Sequence, residues 1–190
     1  MKITKAQAQA NRARVVETAS VLFRERGYDG VSVSDLMAAA GFTHGGFYKQ
    51  FASKTALMAE SAACGIAQTA ALSAGADLRD FVRLYVSRAH RDGRSTGCTM
   101  AALGGDAARQ PEAVRTRFAE GIESLLAALN HESGALGRDD ASQSREQAID
   151  TLAHAVGAIV LSRACPDSSP LADEILRVCR DKILASLNNS

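Results

Sequence analysis

The sequence predicts an all-α protein, with an N-terminal three-helix unit containing a helix-turn-helix and a larger helical C-terminal body. Three observations carry this. Only three prolines interrupt 190 residues, and the abundant alanine favours helix wherever packing does not decide otherwise. Apolar residues recur at i, i+3 and i+4 instead of alternating. Residues 32–54, SVSDLMAAAGFTHGGFYKQFASK, bend that pattern once, at a glycine corner between two short helices. The chain length suits a small module fused to a larger body, divided into residues 1–56 and 57–190.

Residues 2–14 are polar and basic, with Lys2, Lys5, Arg12 and Arg14, and read as a solvated helix start or as an arm toward DNA phosphates. From about Asn11, the spacing of Val15, Ala19, Leu22 and Phe23 marks a first helix, which Gly27 ends. Ser32 with Asp35 has the form of a capping box, phosphate donation being the other role open to Ser32. Val33, Leu36 and Met37 form the inner face of a second helix, closed by Gly41 in a left-handed conformation. Thr43 then stands as N-cap of a helix from about His44 to Phe51, with Phe47 and Phe51 turned inward.

Gly45 and Gly46 are costly in that helix, at about 1 kcal/mol each relative to alanine. They suit a backbone that must approach another surface closely, and a groove wall is one such surface. Tyr48 and Lys49 offer a hydroxyl and an ammonium suited to phosphate oxygens. Ser53-Lys54 opens a further helix whose N-terminal N–H groups suit another phosphate. A helix-turn-helix of this kind leaves the first residues of its second helix free to enter a major groove. An ordinary helical hairpin with a charged outer face has the same shape.

In the body, residues 55–72 read as one helix leaving the module, 73–75 as a break, and 77–91 as a helix with Leu78, Phe81, Val82, Tyr85 and Val86 on one face. Residues 92–97 form a polar loop. Cys98 follows near a helix start, where the positive dipole end raises thiolate reactivity; a small buried residue is its other reading. Gly104-Gly105-Asp106 is expected to loosen that helix, and Pro111 to start another, striped by Val114, Phe118, Ile122, Leu125, Leu126 and Leu129. After a polar loop at 134–142, residues 147–164 and 171–187 make two helices with broad apolar faces. The small residues Ala153, Ala155, Gly157 and Ala158 suit close packing against a second subunit or within a monomer core.

Several classes find no support. No apolar run approaches the roughly 20 residues that span a bilayer, and the N-terminus lacks the apolar core of a signal peptide, so a cytoplasmic location is expected. Cys64, Cys98, Cys165 and Cys179 lack metal-ligand spacing and are expected as reduced thiols, with no metal and no cofactor. His44, His90, His131 and His154 fall in no HExxH pattern, and there is neither GxSxG nor a phosphate loop, so no enzyme is expected. The net charge is +1, but residues 1–60 carry +3 and the remainder −2, a mild bias toward nucleic acid at the N-terminal end. A helical protein-interaction module is the alternative from another class. Neutralising Lys49 and Lys54 separates the two through salt-dependent DNA binding.

The residue order resembles the DNA-binding domain of the tetracycline-repressor (TetR) family of transcription regulators. The likeness rests on Ala19, Leu22-Phe23, Gly27-Tyr28, Val31-Ser32-Val33, Leu36, Ala39-Ala40-Gly41-Phe42-Thr43, Phe47-Tyr48, Phe51, Lys54 and Leu57, in the first third of the chain. Gln50 departs from the His that often precedes the Phe in that family. The resemblance implies a ligand-responsive regulator, a repressor, that binds a two-fold operator DNA as a homodimer through its last two helices. A small-molecule or thiol-reactive effector would release it. On this reading Ser32, Thr43, His44, Gly45, Gly46, Tyr48, Lys49 and Lys54 make the DNA interface, with His44 reading bases. Tyr85, His90, Cys98, Met100, Phe118 and His154 are the expected effector pocket or sensor, as polar-tipped or adaptable side chains on apolar faces; core packing is their other role.

Overall fold

The computed structural model describes residues 4–73, 78–134 and 141–187. The break expected at 73–75 and most of the loop at 134–142 lie outside the described residues. Among those described, every regular element is helical: α1 (Lys5–Arg26), α2 (Val33–Ala39), a 3-10 helix (His44–Lys49) called the readout helix after its expected role, α3 (Lys54–Ser73), α4 (Leu78–Tyr85), α5 (Arg88–Asp92), α6 (Thr99–Ala107), α7 (Glu112–Gly134), α8 (Ala141–Ala164) and α9 (Pro170–Ser186). The all-α class is as the sequence predicts. Packing divides the chain into two units, residues 1–68 with 98–121 and residues 69–97 with 122–190. These limits cut through α3 and α7, so compactness does not follow the division expected at 56/57.

In the first unit, Thr4 caps α1 by accepting the Gln7 N–H at 3.1 Å, so from Lys5 onward the basic segment is helix and not an extended arm. Val15, Ala19 and Phe23 are buried along α1 at the predicted spacing. α1 packs against α2 and α6. Contrary to the expectation at Gly104-Gly105, α6 runs unbroken to Ala107. Both glycines lie on its exposed side, while buried Met100, Leu103 and Ala107 hold the opposite face, and that packing outweighs the poor propensity. Two other glycines permit close approach. At Gly65 a Cβ would run into the Arg24 guanidinium and the hydroxyls of Thr99 and Ser20; at Gly121 it would lie 2.6 Å from Ile66 and 3.1 Å from Met100.

In the second unit, the helix expected over 77–91 is two helices. Ser87 separates them: extended at φ −134°, it accepts the His90 N–H at 3.2 Å and donates its own hydroxyl to the Leu84 carbonyl at 2.6 Å. The short α5 that follows is a polar hub. Arg91 is only 3% exposed. Its guanidinium donates to the Ser162 carbonyl and hydroxyl, the Cys165 carbonyl, Asp92 at 2.7 Å and Asp167 at 2.6 Å. Carbonyls at and just past the end of α8, where helical bonding runs out, thereby gain a donor. Arg88 extends the hub to Asp92, Asp173 and the Asp167 carbonyl. α9 packs along α8, where the Ser162 hydroxyl donates to the Ala172 carbonyl at 2.8 Å.

Removing the guanidinium takes these donors away, leaving the Ser162 carbonyl the Cys165 N–H at 3.2 Å and the Cys165 carbonyl without its Arg91 bond. Arg91→Met is expected to lower unfolding free energy by about 2–3 kcal/mol, from donors lost to buried acceptors, read as a lower urea midpoint. Arg91 and Arg88 hold the Asp92 carboxyl below its usual range. The stability this lends is complete above the ordinary carboxylate range and is lost as pH falls through the depressed folded value. Asp92→Asn is therefore expected to flatten the acid limb of a stability-against-pH curve, and an unchanged limb would contradict the pairing.

Candidate nucleic-acid interface

The corner that carries the readout helix is built by local chemistry. At the start of α2 the capping box is complete: the Ser32 hydroxyl accepts the Asp35 N–H at 3.1 Å, and Asp35 accepts the Ser32 N–H at 3.0 Å. The Ser32 hydroxyl hydrogen also goes to Asp35, at 2.6 Å. These two bonds from Ser32 hold the exposed Asp35 carboxyl below its usual range. At the other end Gly41 takes φ +81°, its N–H reaching the Ala38 carbonyl at 3.0 Å while that of Phe42 reaches Met37 at 2.8 Å. This paired pattern closes a helix on a left-handed residue. Leu36 and Met37 are fully buried beneath it.

The readout helix differs from the expected one in type and length. It is a 3-10 helix over His44–Lys49, entered by Thr43 in an extended conformation, and the Thr43 side chain makes no cap hydrogen bond. Two adjacent glycines explain the weak helix. What holds it is burial: Phe47 is wholly inaccessible, Phe51 nearly so, and their rings stack at 5.5 Å. Burying two such rings contributes roughly 1.5–3 kcal/mol each, against about 1 kcal/mol lost at each glycine. Packing wins, by a small margin.

Arg12 fastens this element to its neighbours, and Ser53 and Lys54 fix the start of α3 that follows it. Arg12 on α1 makes a two-pronged ion pair with Glu60 on α3, donates to the Gln50 carbonyl at 3.4 Å, and lies over the Phe51 ring at 4.6 Å. Arg12, in the segment read as a solvated helix start or as an arm toward phosphates, is an internal clamp. The hydrogen bond to Glu60 keeps its guanidinium more basic than usual. Lys54, expected on a phosphate, gives its ammonium to the Tyr28 carbonyl at 2.6 Å, 5.9 Å from the centre of the Phe23 ring. Ser53 caps α3 by accepting the Ala56 N–H at 3.1 Å.

The residues left on the outside are His44, Gly45, Tyr48 and Lys49, with Gly46 half-buried. Tyr48 is 67% exposed, and its ring is held edge-on by Phe47 at 5.1 Å, with His44 at 6.1 Å. Neither Gly45 nor Gly46 has a positive φ. A Cβ at Gly45 would touch nothing within 4 Å, and at Gly46 it would make ordinary contact with Met37 at 3.5 Å. The fold itself does not require either glycine.

The expected effector residues fall in different units. Cys98, at the start of α6, is 3% exposed and makes no cap bond; Met100 and Phe118 are buried in the same unit. In the other unit, Tyr85 is buried and His90 and His154 are half-buried. The His90 ring lies 4.4 Å from that of Tyr85, and its Nδ1 is 2.7 Å from the Tyr85 carbonyl. Burial lowers the His90 pKa, opposed by that carbonyl and assisted by the charge of Arg163. The four cysteines form no disulfide. Burial raises the Cys64 thiol, helped by Glu17 and opposed by Arg24. Among the described residues no group of His, Cys, Asp or Glu is arranged to hold a metal, and no helix is long and apolar enough to cross a membrane.

Fold and corner together define the class: an all-α protein whose N-terminal module is a helix-turn-helix of the DNA-binding kind. Residues 15–60 match the model of the family described as bacterial regulatory proteins, tetR family. Nine-tenths or more of the chain superposes on solved proteins, among them TetR-family regulators. A TetR-family transcriptional regulator from Cytophaga hutchinsonii is similar at TM-score 0.76 and 20% identity, covering 97% of this chain and 98% of that one. NemR of E. coli, solved in a reduced form, gives 0.71 and 20% over 90% and 96%. A TetR regulator from Chloroflexus aurantiacus gives 0.69 and 25% over 94% and 96%. No curated protein matches the chain. The N-terminal module is thus recognised as that of the TetR family of transcription regulators, and the chain as a whole has the fold of its members.

Because Ser32 is spent on its capping box, Ser32→Ala is expected to cost about 1 kcal/mol of stability, seen as a lowered melting temperature. Full stability in that variant would contradict the cap.

Proposed function

We propose that the protein is a ligand-controlled repressor that binds a two-fold operator as a homodimer, with residues 1–56 reading DNA and 57–190 serving effector binding and dimerisation. The observation that carries the DNA reading is the outer surface of the readout helix. It keeps two glycines that its own packing does not need, beside an exposed tyrosine and lysine. Thr43, His44, Gly45 and Gly46 approach the groove, His44 reads base edges, and Tyr48 and Lys49 take phosphates. Ser32 and Lys54 act from behind, as parts of the mount.

The dimer reading is supported by apolar side chains left exposed late in the chain: Ile149, Val160 and Leu161 on α8, Leu171 and Val178 on α9. A Cβ at Gly157, between them on α8, would meet nothing within 4 Å. A second copy packing there would bury this surface and pair two readout helices on a two-fold site. The effector is a small molecule or a thiol reagent. Cys98 supports the thiol reading through its place at a helix start, and a solved protein of this fold described in a reduced form gives it context. Whatever the effector, it must favour the DNA-free state, and DNA weakens its binding by the same factor.

The test pairs Gly45→Ala with Lys49→Gln on a duplex selected by the wild-type protein. Gly45→Ala should keep or raise the melting temperature yet weaken DNA binding, because its methyl group fills the approach. Lys49→Gln should reduce the slope of log affinity against log salt by about one. A Gly45→Ala protein that binds as the wild type does would contradict the groove reading.

A further inference from the structure

Tyr28 is gripped on both sides of its backbone. Its N–H donates to Asp106 Oδ2 on α6 at 3.4 Å, and its carbonyl accepts Lys54 Nζ at the start of α3 at 2.6 Å. Gly27 makes the first contact possible: it has φ +74°, and a Cβ there would stand 2.8 Å from the same Asp106 oxygen. The other Asp106 oxygen accepts from Arg109 at 2.9 Å, which fixes the carboxylate in place. The Tyr28 ring is buried against Phe23 at 5.0 Å, so the residue cannot slide along α1.

This grip lies just upstream of the reading surface. Buried Val31 and the Ser32 box follow the Gly27–Gly30 turn, then the seven residues of α2, then the readout helix. The turn has one regular bond to α1, from the Gly27 N–H to the Phe23 carbonyl. Its position is set mainly by what holds Tyr28. The Asp106 end of α6 is therefore joined to the corner, while the other end of the same helix carries Cys98 and Met100.

We infer that Asp106 is a positioning residue for DNA recognition: with Lys54 on the opposite side, it fixes the Tyr28 backbone and hence the orientation in which α2 and the readout helix meet DNA. The inference rests on the DNA reading above. It has a distinctive sign. A carboxylate that acted only through its charge would repel DNA, and removing it would tighten binding to every duplex. A carboxylate that positions the corner does the opposite for the specific site alone.

The experiment measures affinity for a duplex selected from a random library by the wild-type protein, and for a scrambled duplex, alongside melting temperature. Asp106→Ala is expected to lower the specific-to-scrambled ratio by about ten-fold, the size of a typical coupling residue, without weakening the scrambled complex. Asp106→Ser, too short to reach Tyr28, carries the same expectation should the alanine variant melt early. Asp106→Asn keeps an acceptor oxygen and should restore most of the ratio. A wild-type ratio in the folded Ala or Ser variant, or an Asn variant as damaged as the Ala one, overturns the assignment. A wild-type protein that selects no duplex overturns the DNA reading itself, whereas selection with an intact ratio in the variants removes Asp106 alone.

Discussion

The surface proposed to read DNA is a six-residue 3-10 helix with two adjacent glycines, and such a segment cannot hold its own shape. The rest of the first unit answers to that constraint. Phe47 and Phe51 anchor the helix from beneath, Arg12 ties its exit to α1 and α3, and the Gly41 corner fixes its entry. Stability is thus placed under the surface, which leaves the backbone on top bare. A longer and more regular helix would stand more securely, but its side chains would hold the backbone away from a groove.

The same logic assigns charges. Net charge is nearly neutral, and several cations in the N-terminal region are spent internally: Arg12 on Glu60, Arg24 beside Ser20, Lys54 on Tyr28. A count of basic residues therefore overstates what is offered to a phosphate. In the second unit, Arg91 performs comparable internal work, closing the end of α8 and joining it to the turn before α9. Each unit has an arginine that ties together elements distant in sequence.

Much of this was legible in the sequence, because local rules govern local features. The Ser32–Asp35 box, the left-handed Gly41, the inward Phe47 and Phe51, and the Pro111 helix start each depend on residues within a few positions. The features that escaped are long-range or set by packing. Lys54 reads as a phosphate ligand until Tyr28 is seen above it, and nothing in the spacing of Arg12 announces Glu60, 48 residues away. Gly104-Gly105 looks like a break but sits on a helix whose opposite face is buried. Ser87 divides a predicted helix through capping bonds that periodicity does not register. Asp106 reads in the sequence only as part of the stretch expected to loosen α6, with no local signal pointing to Tyr28, 78 residues away.

The central claim is that the surface over His44–Lys49 is the one that meets DNA. The most direct measurement puts a photoreactive benzoylphenylalanine in turn at position 48 and at position 84, which is also well exposed but lies on α4. The full-length protein is then irradiated on a duplex that the wild type has selected. Covalent capture of the duplex is expected from position 48 and none from position 84. A bound duplex that is captured from position 84 and not from 48 would contradict it.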